Sequence, residues 1–384
     1  MSFAILALIC LVGALGPLLA VPERLRIPVV IGELLAGIAF GPSGVGVLHA
    51  KDGTFTFLAD VGFALVMFVA GSHVPARDPR VRSAVLVGTG HAVGVGLVAV
   101  LVGELLATAF GTPHALLYAV LMASSSAALV LPMLGSLRLE GPTILELVAQ
   151  VAVADTACIV ALPLVIQPDR AGQAALGAVT VLAAAFIVYL VLLRGERSGL
   201  RHRLHTLSEH RKFALELRLN LGLLFALAAL AQRTDVSIML AGFSFGVAVA
   251  AIGEPRRLAR QLFALTEGLF APIFFIWLGA TIELADLGRS PRFIGLGVLL
   301  GVGAVVVHAA TRVVGQPLPM AGLAAAQLGV PLAASALGTR LNLLAPGESA
   351  AFVLGALITI VAATVSGALG TRRDKAIPVE GTGS

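Results

Sequence analysis

Apolar stretches long enough to cross a bilayer follow one another along nearly the whole chain, and this restricts the possible folds more than any other feature. They fall at roughly 3–20, 27–41, 55–72, 81–110, 113–137, 142–166, 171–193, 212–231, 235–251, 260–283, 293–314, 318–338 and 346–370. A hydrocarbon core demands about 17–25 such residues per helix. Only 12% of the 384 residues are charged, against about 25% in soluble domains. A soluble fold this apolar would expose large greasy patches. The pattern predicts an all-α polytopic membrane protein of about 13 transmembrane helices.

Charge orients the segments. With the N-terminus outside and the C-terminus cytoplasmic, the inside loops hold Arg24, Arg26, Arg77, Arg80, Arg82, Arg138, Arg256, Arg257 and Arg260. They also hold the cluster Arg194, Arg197, Arg201, Arg203, Arg211 and Lys212, and Arg372, Arg373 and Lys375 at the end. The outside loops hold only Lys51, Arg170, Arg233, Arg289, Arg292 and Arg340. This bias follows the positive-inside rule. The same rule explains the net charge of +5 without nucleic acid as a partner. Cys10 and Cys158 lie inside apolar stretches and offer neither a disulfide framework nor a metal cluster. Residues 3–20 lack a basic n-region and read as a retained helix, not a signal peptide. The polar tail 371–384 is expected to be disordered and cytoplasmic.

Three irregularities share one depth. Backbone polar groups in lipid must be satisfied internally, so a broken helix needs a protein-lined or watery cavity. The fifth segment carries Ser124, Ser125 and Ser126 near its midpoint, and the twelfth carries Gly329-Val330-Pro331. Pro331 removes a donor and strains the preceding turn. These segments cross the bilayer in opposite directions, as inverted repeats with two crossed broken helices would. The other reading is a pair of kinks, with serine hydroxyls bonded back to the preceding turn. The third irregularity is Asp155, a lone charge in the middle of ILELVAQVAVADTACIVALPLV. A carboxylate there costs about 2.5–3.5 kcal/mol on insertion scales. It is a functional candidate, or else an acid paired with a distant arginine.

Weaker candidates surround it. Glu33 reads as a capping or gating group, and Glu146 as a group on the ion's path. His308 and Arg312, one turn apart, read as counter-charges to Asp155 or as snorkelling side chains. His91, Glu104 and Glu267 read equally well as satisfied structural groups. Gly88, Gly90 and Gly94 lack the spacing and the preceding strand of a dinucleotide loop. They read as helix-packing positions, as do Gly242 with Gly246 and Gly297 with Gly301.

The run LRIPVVIGELLAGIAFGPSGVG at 25–46 closely resembles the opening signature of the monovalent cation:proton antiporter family, which includes sodium/hydrogen exchangers and the membrane domain of Kef-type potassium/proton antiporters. LADVGFALVMFVAGSHV at 58–74 and ALTEGLFAPIFFIWLGATIEL at 264–284 resemble its third and tenth segments. The resemblance implies a homodimer. Its dimer-side helices would be 3–72 and 212–283, its linker helix 171–193, and its mobile core helices 81–166 and 293–370. It implies that Ser124, Ser125 and Ser126 line the ion site and that Asp155 binds the ion. Two departures stand out. Ala154 occupies the place of a family acid or amide, and His308 aligns where electrogenic relatives carry lysine.

These readings combine into one expected mechanism. A secondary transporter, not an enzyme, exchanges Na+ or K+ for H+ at Asp155, the monovalent-cation site, and does so electroneutrally. It needs no cofactor beyond the transported ions. Its surroundings are membrane lipid, in a bacterial-type inner membrane, and its expected role is pH homeostasis. A cation channel or a transport-dead sensor of the same fold is the alternative, with an organic-anion symporter on a related fold as a third.

Overall fold

The computed structural model describes residues 1–21, 29–72, 81–137, 139, 141–166, 171–198, 214–234, 236–253, 256–281 and 291–374. The basic loops around Arg24, Arg77, Arg201 and Arg289, residues 25–28 of the opening signature and the tail from Lys375 lie outside them. Among the described residues the regular structure is all helical. The helices are α1 (Phe3–Gly13), α2 (Leu15–Ala20), α3 (Val29–Phe40), α4 (Gly53–Ser72), α5 (Val81–Phe110), α6 (Ala115–Ala123), α7 (Ala127–Leu137), α8 (Pro142–Ile166) and α9 (Ala171–Arg197). There follow α10 (Leu215–Arg233), α11 (Ile238–Ile252), α12 (Arg256–Leu265), α13 (Ala271–Ala280), α14 (Pro291–Ala309), α15 (Leu318–Ala324), α16 (Gly329–Arg340) and α17 (Glu348–Asp374).

Every apolar segment read from the sequence overlaps one of these helices or a pair of them. Ten described stretches are long and apolar enough to cross a bilayer, and Val29–Phe40 and Ile238–Ile252 are shorter apolar helices. The first segment is interrupted at Ala14, and the last runs past residue 370 to Asp374.

Local chemistry sets the ends. Ser2 accepts the Ile5 amide to start α1, Asp52 accepts the Phe55 amide to start α4, and Ser237 accepts the Met239 amide to start α11. Each satisfies an otherwise orphaned first-turn donor. Gly253, at φ +99°, ends α11, a conformation that glycine adopts at no steric cost. Pro272 lies in the first turn of α13 and cannot donate. The preceding turn, Thr266–Phe270, is π-wound, with the Ala271 amide bonded to Thr266 O five residues back.

The chain divides into two compact units. The first comprises Met1–Ala20, Val29–Val81 and Ile159–Ala285. Its most extensive packing is α4 on α11. A Cβ on Gly242 would lie 2.5 Å from Ala64 O, and one on Gly246 would lie closer still to Phe68 O and 2.9 Å from Gly71 Cα. This is the small-residue packing that lets helices approach in lipid. Gly246→Val is therefore expected to cost about 1–3 kcal/mol through overpacking and to lower the yield of monodisperse protein severalfold. A size-exclusion profile and melting point equal to wild type would show that the contact tolerates a side chain.

The second unit comprises Val21–Pro28, Arg82–Cys158 and Asp286–Ser384. Here α14 packs along α17, where Gly297 faces Ala351 O and Gly301 faces Gly355 O. Gly88 meets the backbone of α8 at Glu146 and Gln150, so this glycine is a packing position. Gly90 and Gly94 are not: a Cβ on either would meet nothing within 4 Å. They lie off the stripe of Gly88, His91, Val95 and Ala99 that α5 buries.

Candidate functional site

The second unit contains both broken helices. The first break is the extended segment Ser124–Ser126 between α6 and α7, as its serines suggested. Ser124 ends α6 at ψ +148°, its amide bonded to Val120 O and Leu121 O. Its hydroxyl returns to Leu121 O at 2.8 Å. Ser126 opens α7, its carbonyl accepting the Leu129 and Val130 amides. All three serines are buried.

The second break is displaced from its sequence expectation. The gap spans Ala325–Leu328, between α15 and α16, and Gly329 to Pro331 form the first turn of α16. First-turn amides have no intrahelical acceptor, so a proline is tolerated there. Pro331 thus marks where the second half-helix begins, and the break lies just before it.

The two breaks are tied to one another reciprocally. The Ser125 hydroxyl donates to Ala324 O, at the end of α15, at 2.7 Å. Gln327 Nε2 donates to Met122 O, in the last turn of α6, at 3.2 Å. Each interrupted strand of backbone therefore satisfies a carbonyl left open by the other. Each break also leans on an intact helix. Asp155, on α8, accepts the Ala127 amide through Oδ2 at 2.9 Å. Thr359, on α17, accepts the Gln327 amide at 3.1 Å.

Asp155 is 4% exposed. Its Oδ2 sits at the positive N-terminal end of α7, where an anion is favoured. Among the described residues no donor is bonded to its Oδ1 and no salt bridge reaches it. His308 is fully buried, with Nδ1 against Ala304 O at 2.9 Å and Nε2 3.5 Å from the Ser125 hydroxyl. Arg312 is exposed. It lies in a 3-10 turn, Ala310–Val314, that closes at Gly315 with φ +97°. The tighter winding of that turn carries Arg312 off the face that holds His308. Neither candidate counter-charge pairs with Asp155.

A polar chain missed by sequence reasoning lies along α8. Gln316 Nε2 donates to Gln150 Oε1, and Thr311 Oγ1 donates to Gln316 Oε1, each at 2.5 Å. Glu146 is half-buried on the same helix, and His91 lies within its electrostatic reach. His91 is buried with Nδ1 unpartnered, so it is not the fully satisfied group its alternative reading required. Glu104 and Glu267 are exposed. In the first unit, Glu33 is 3% exposed on α3, packed over Gly16 and interacting electrostatically with Glu267.

Residues 7–369 match the family described as "Sodium/hydrogen exchanger, transmembrane". A Bacillus subtilis relative, YjbQ, is 23% identical over 382 residues, covering 94% of this chain and 62% of that protein. The Na(+)/H(+) antiporter NhaS5 of Synechocystis sp. is 27% identical over 335 residues, covering 82% of this chain and 44% of that protein. The chain thus spans less than two thirds of the length of these curated relatives. The sodium proton antiporter MjNhaP1 of Methanocaldococcus jannaschii superposes with a TM-score of 0.71 at 17% identity, covering 99% of both chains. That likeness carries the fold. With the match running through both units and both broken helices, the chain belongs to the sodium/hydrogen exchanger transmembrane family.

Proposed function

We propose that this integral membrane protein exchanges Na+ or K+ for H+ electroneutrally, with Asp155 as the site that proton and cation occupy in turn. One observation carries the reading: a buried carboxylate stands at a helix break with one oxygen held by the Ala127 amide and the other unbonded. The family match and the relatives named as Na(+)/H(+) antiporters support it. A hard monovalent cation requires oxygen ligands, and the buried Ser124, Ser125 and Ser126 bring hydroxyls to the same segment. The Ser126 hydroxyl makes no hydrogen bond among the described residues.

Stoichiometry follows from charge. Asp155 carries one negative charge, and its neighbour Ala154 can hold neither a proton nor an ion. One H+ therefore replaces one Na+ or K+, and no net charge crosses. We further propose that two copies pair in a bacterial-type plasma membrane, N-terminus outside.

The test is flux in proteoliposomes loaded in turn with Na+, K+ and Li+. Moving one elementary charge through 100 mV is worth about 2.3 kcal/mol, so electrogenic exchange would respond steeply to an imposed voltage. The expected result is cation-dependent proton movement whose rate changes less than about twofold over that range. A current that scales with voltage defeats the one-for-one stoichiometry. Cation flux indifferent to a proton gradient indicates a channel.

A further inference from the structure

We infer that Gln327 is a cation ligand and a selectivity-determining residue, through its side-chain oxygen. This deepens the proposed function and rests on it. Gln327 is 3% exposed and lies in the second break. Its backbone amide is fixed by Thr359 and its side-chain Nε2 by Met122 O. A carbonyl can only accept, so the NH2 end must face Met122 and the orientation of the amide is determined. The oxygen end is what remains. Among the described residues no donor is bonded to Gln327 Oε1.

Two further observations make this oxygen a ligand and not a spare. The reciprocal ties occupy Met122 O and Ala324 O, two of the carbonyls that the breaks release. The supply of neutral oxygen for a dehydrated cation is correspondingly smaller. Gln327 and Asp155 also grip the two half-helices that flank the same extended segment, at Met122 and Ala127. An ion seated against Ser124–Ser126 has the carboxylate on one side and the glutamine amide on the other. The carboxylate supplies charge, to which proton and cation both respond. The amide oxygen attracts a hard cation yet is not protonated at neutral pH, so it weighs on cation affinity alone. Because two hydrogen bonds hold the residue, its reach is fixed, and fixed ligand geometry discriminates between ions of different radius.

The experiment compares wild type, Asp155→Asn and Gln327→Met, full chains, in proteoliposomes with Na+ and K+. Methionine matches the volume of glutamine and removes both polar atoms. The expected result for Gln327→Met is a KM at least tenfold higher for the preferred cation, a changed Na+/K+ KM ratio and a maximal rate within threefold of wild type. A purely structural residue would lower the rate without moving that ratio. Gln327→Asn is the second variant: one methylene shorter, it cannot hold Met122 O and reach the ion together, and it should shift the ratio in the same direction. An unchanged KM and ratio in whichever variant folds overturns the inference. If Asp155→Asn is inactive in that experiment, the proposed function survives. If wild type exchanges no cation at all, both fall.

Discussion

Asp155→Asn is expected to abolish coupled exchange, at least a hundredfold below wild type and down to the leak of empty liposomes, while leaving the protein folded. The second half matters as much as the first. The amide oxygen of asparagine can accept the Ala127 amide where Asp155 Oδ2 does at 2.9 Å, so the start of α7 keeps its cap. Because asparagine has nearly the volume of aspartate, the buried site is not opened. What disappears is the negative charge and the capacity to take up a proton. Without charge, a dehydrated cation exchanges its hydration shell for neutral oxygens alone, at membrane depth, where unpaired charge costs several kcal/mol. Pairing an exchange assay with a melting curve separates the two effects. A variant that melts within about 2 °C of wild type yet retains a tenth of its rate would place the coupling site elsewhere.

How much of this site could be read beforehand depends on the kind of residue. Asp155 was legible because a single acid in an apolar run has no inexpensive structural explanation. The serine triplet was legible for a similar reason, three adjacent hydroxyls being poor material for an uninterrupted lipid-embedded helix. Gln327 was not legible. Neutral amides are common in helices, and its significance lies in a contact with Met122, 205 residues away in sequence. Thr359, Gln150 and Gln316 escaped for the same reason, since none breaks a pattern by itself.

Two residues misled. Pro331 is the strongest helix breaker in its segment and drew the break onto itself, although a proline fits the first turn of a helix. Alpha-helical spacing puts Arg312 on the face of His308, but the chain tightens into a 3-10 turn between them. Gly315 and Pro317, beyond both, were the local signals that the helix was about to end.

The far end of the second unit offers the other large effect. Glu348→Ala is expected to destabilise the protein by about 3–5 kcal/mol, because it leaves the buried Tyr118 hydroxyl and two half-buried partners without an acceptor. Glu348 is fully buried at the first residue of α17. Its Oε1 accepts the Tyr118 hydroxyl at 2.6 Å and faces His114 Nδ1 at 2.7 Å. Its Oε2 accepts the Ala345 amide at 2.9 Å, which closes the turn leading into α17. Tyr118 spends its only proton on Glu348, so the 2.8 Å contact with Thr112 must have Thr112 as donor. One carboxylate therefore ties the start of α6 to the start of α17, the two helices that carry Met122 and Thr359. Losing it unseats the half-helix on which the proposed ion site depends. Glu348→Gln is the informative intermediate. It offers one acceptor oxygen where the carboxylate offers two, so at least one of the Tyr118, His114 and Ala345 donors goes unmet in either orientation, at about 1–3 kcal/mol. In a thermal unfolding series followed by size-exclusion, the order should be wild type, then Gln, then Ala, the last about 5–10 °C lower. If Glu348→Ala melts with wild type, the cluster adds no rigidity and the two helices are held by their packing alone.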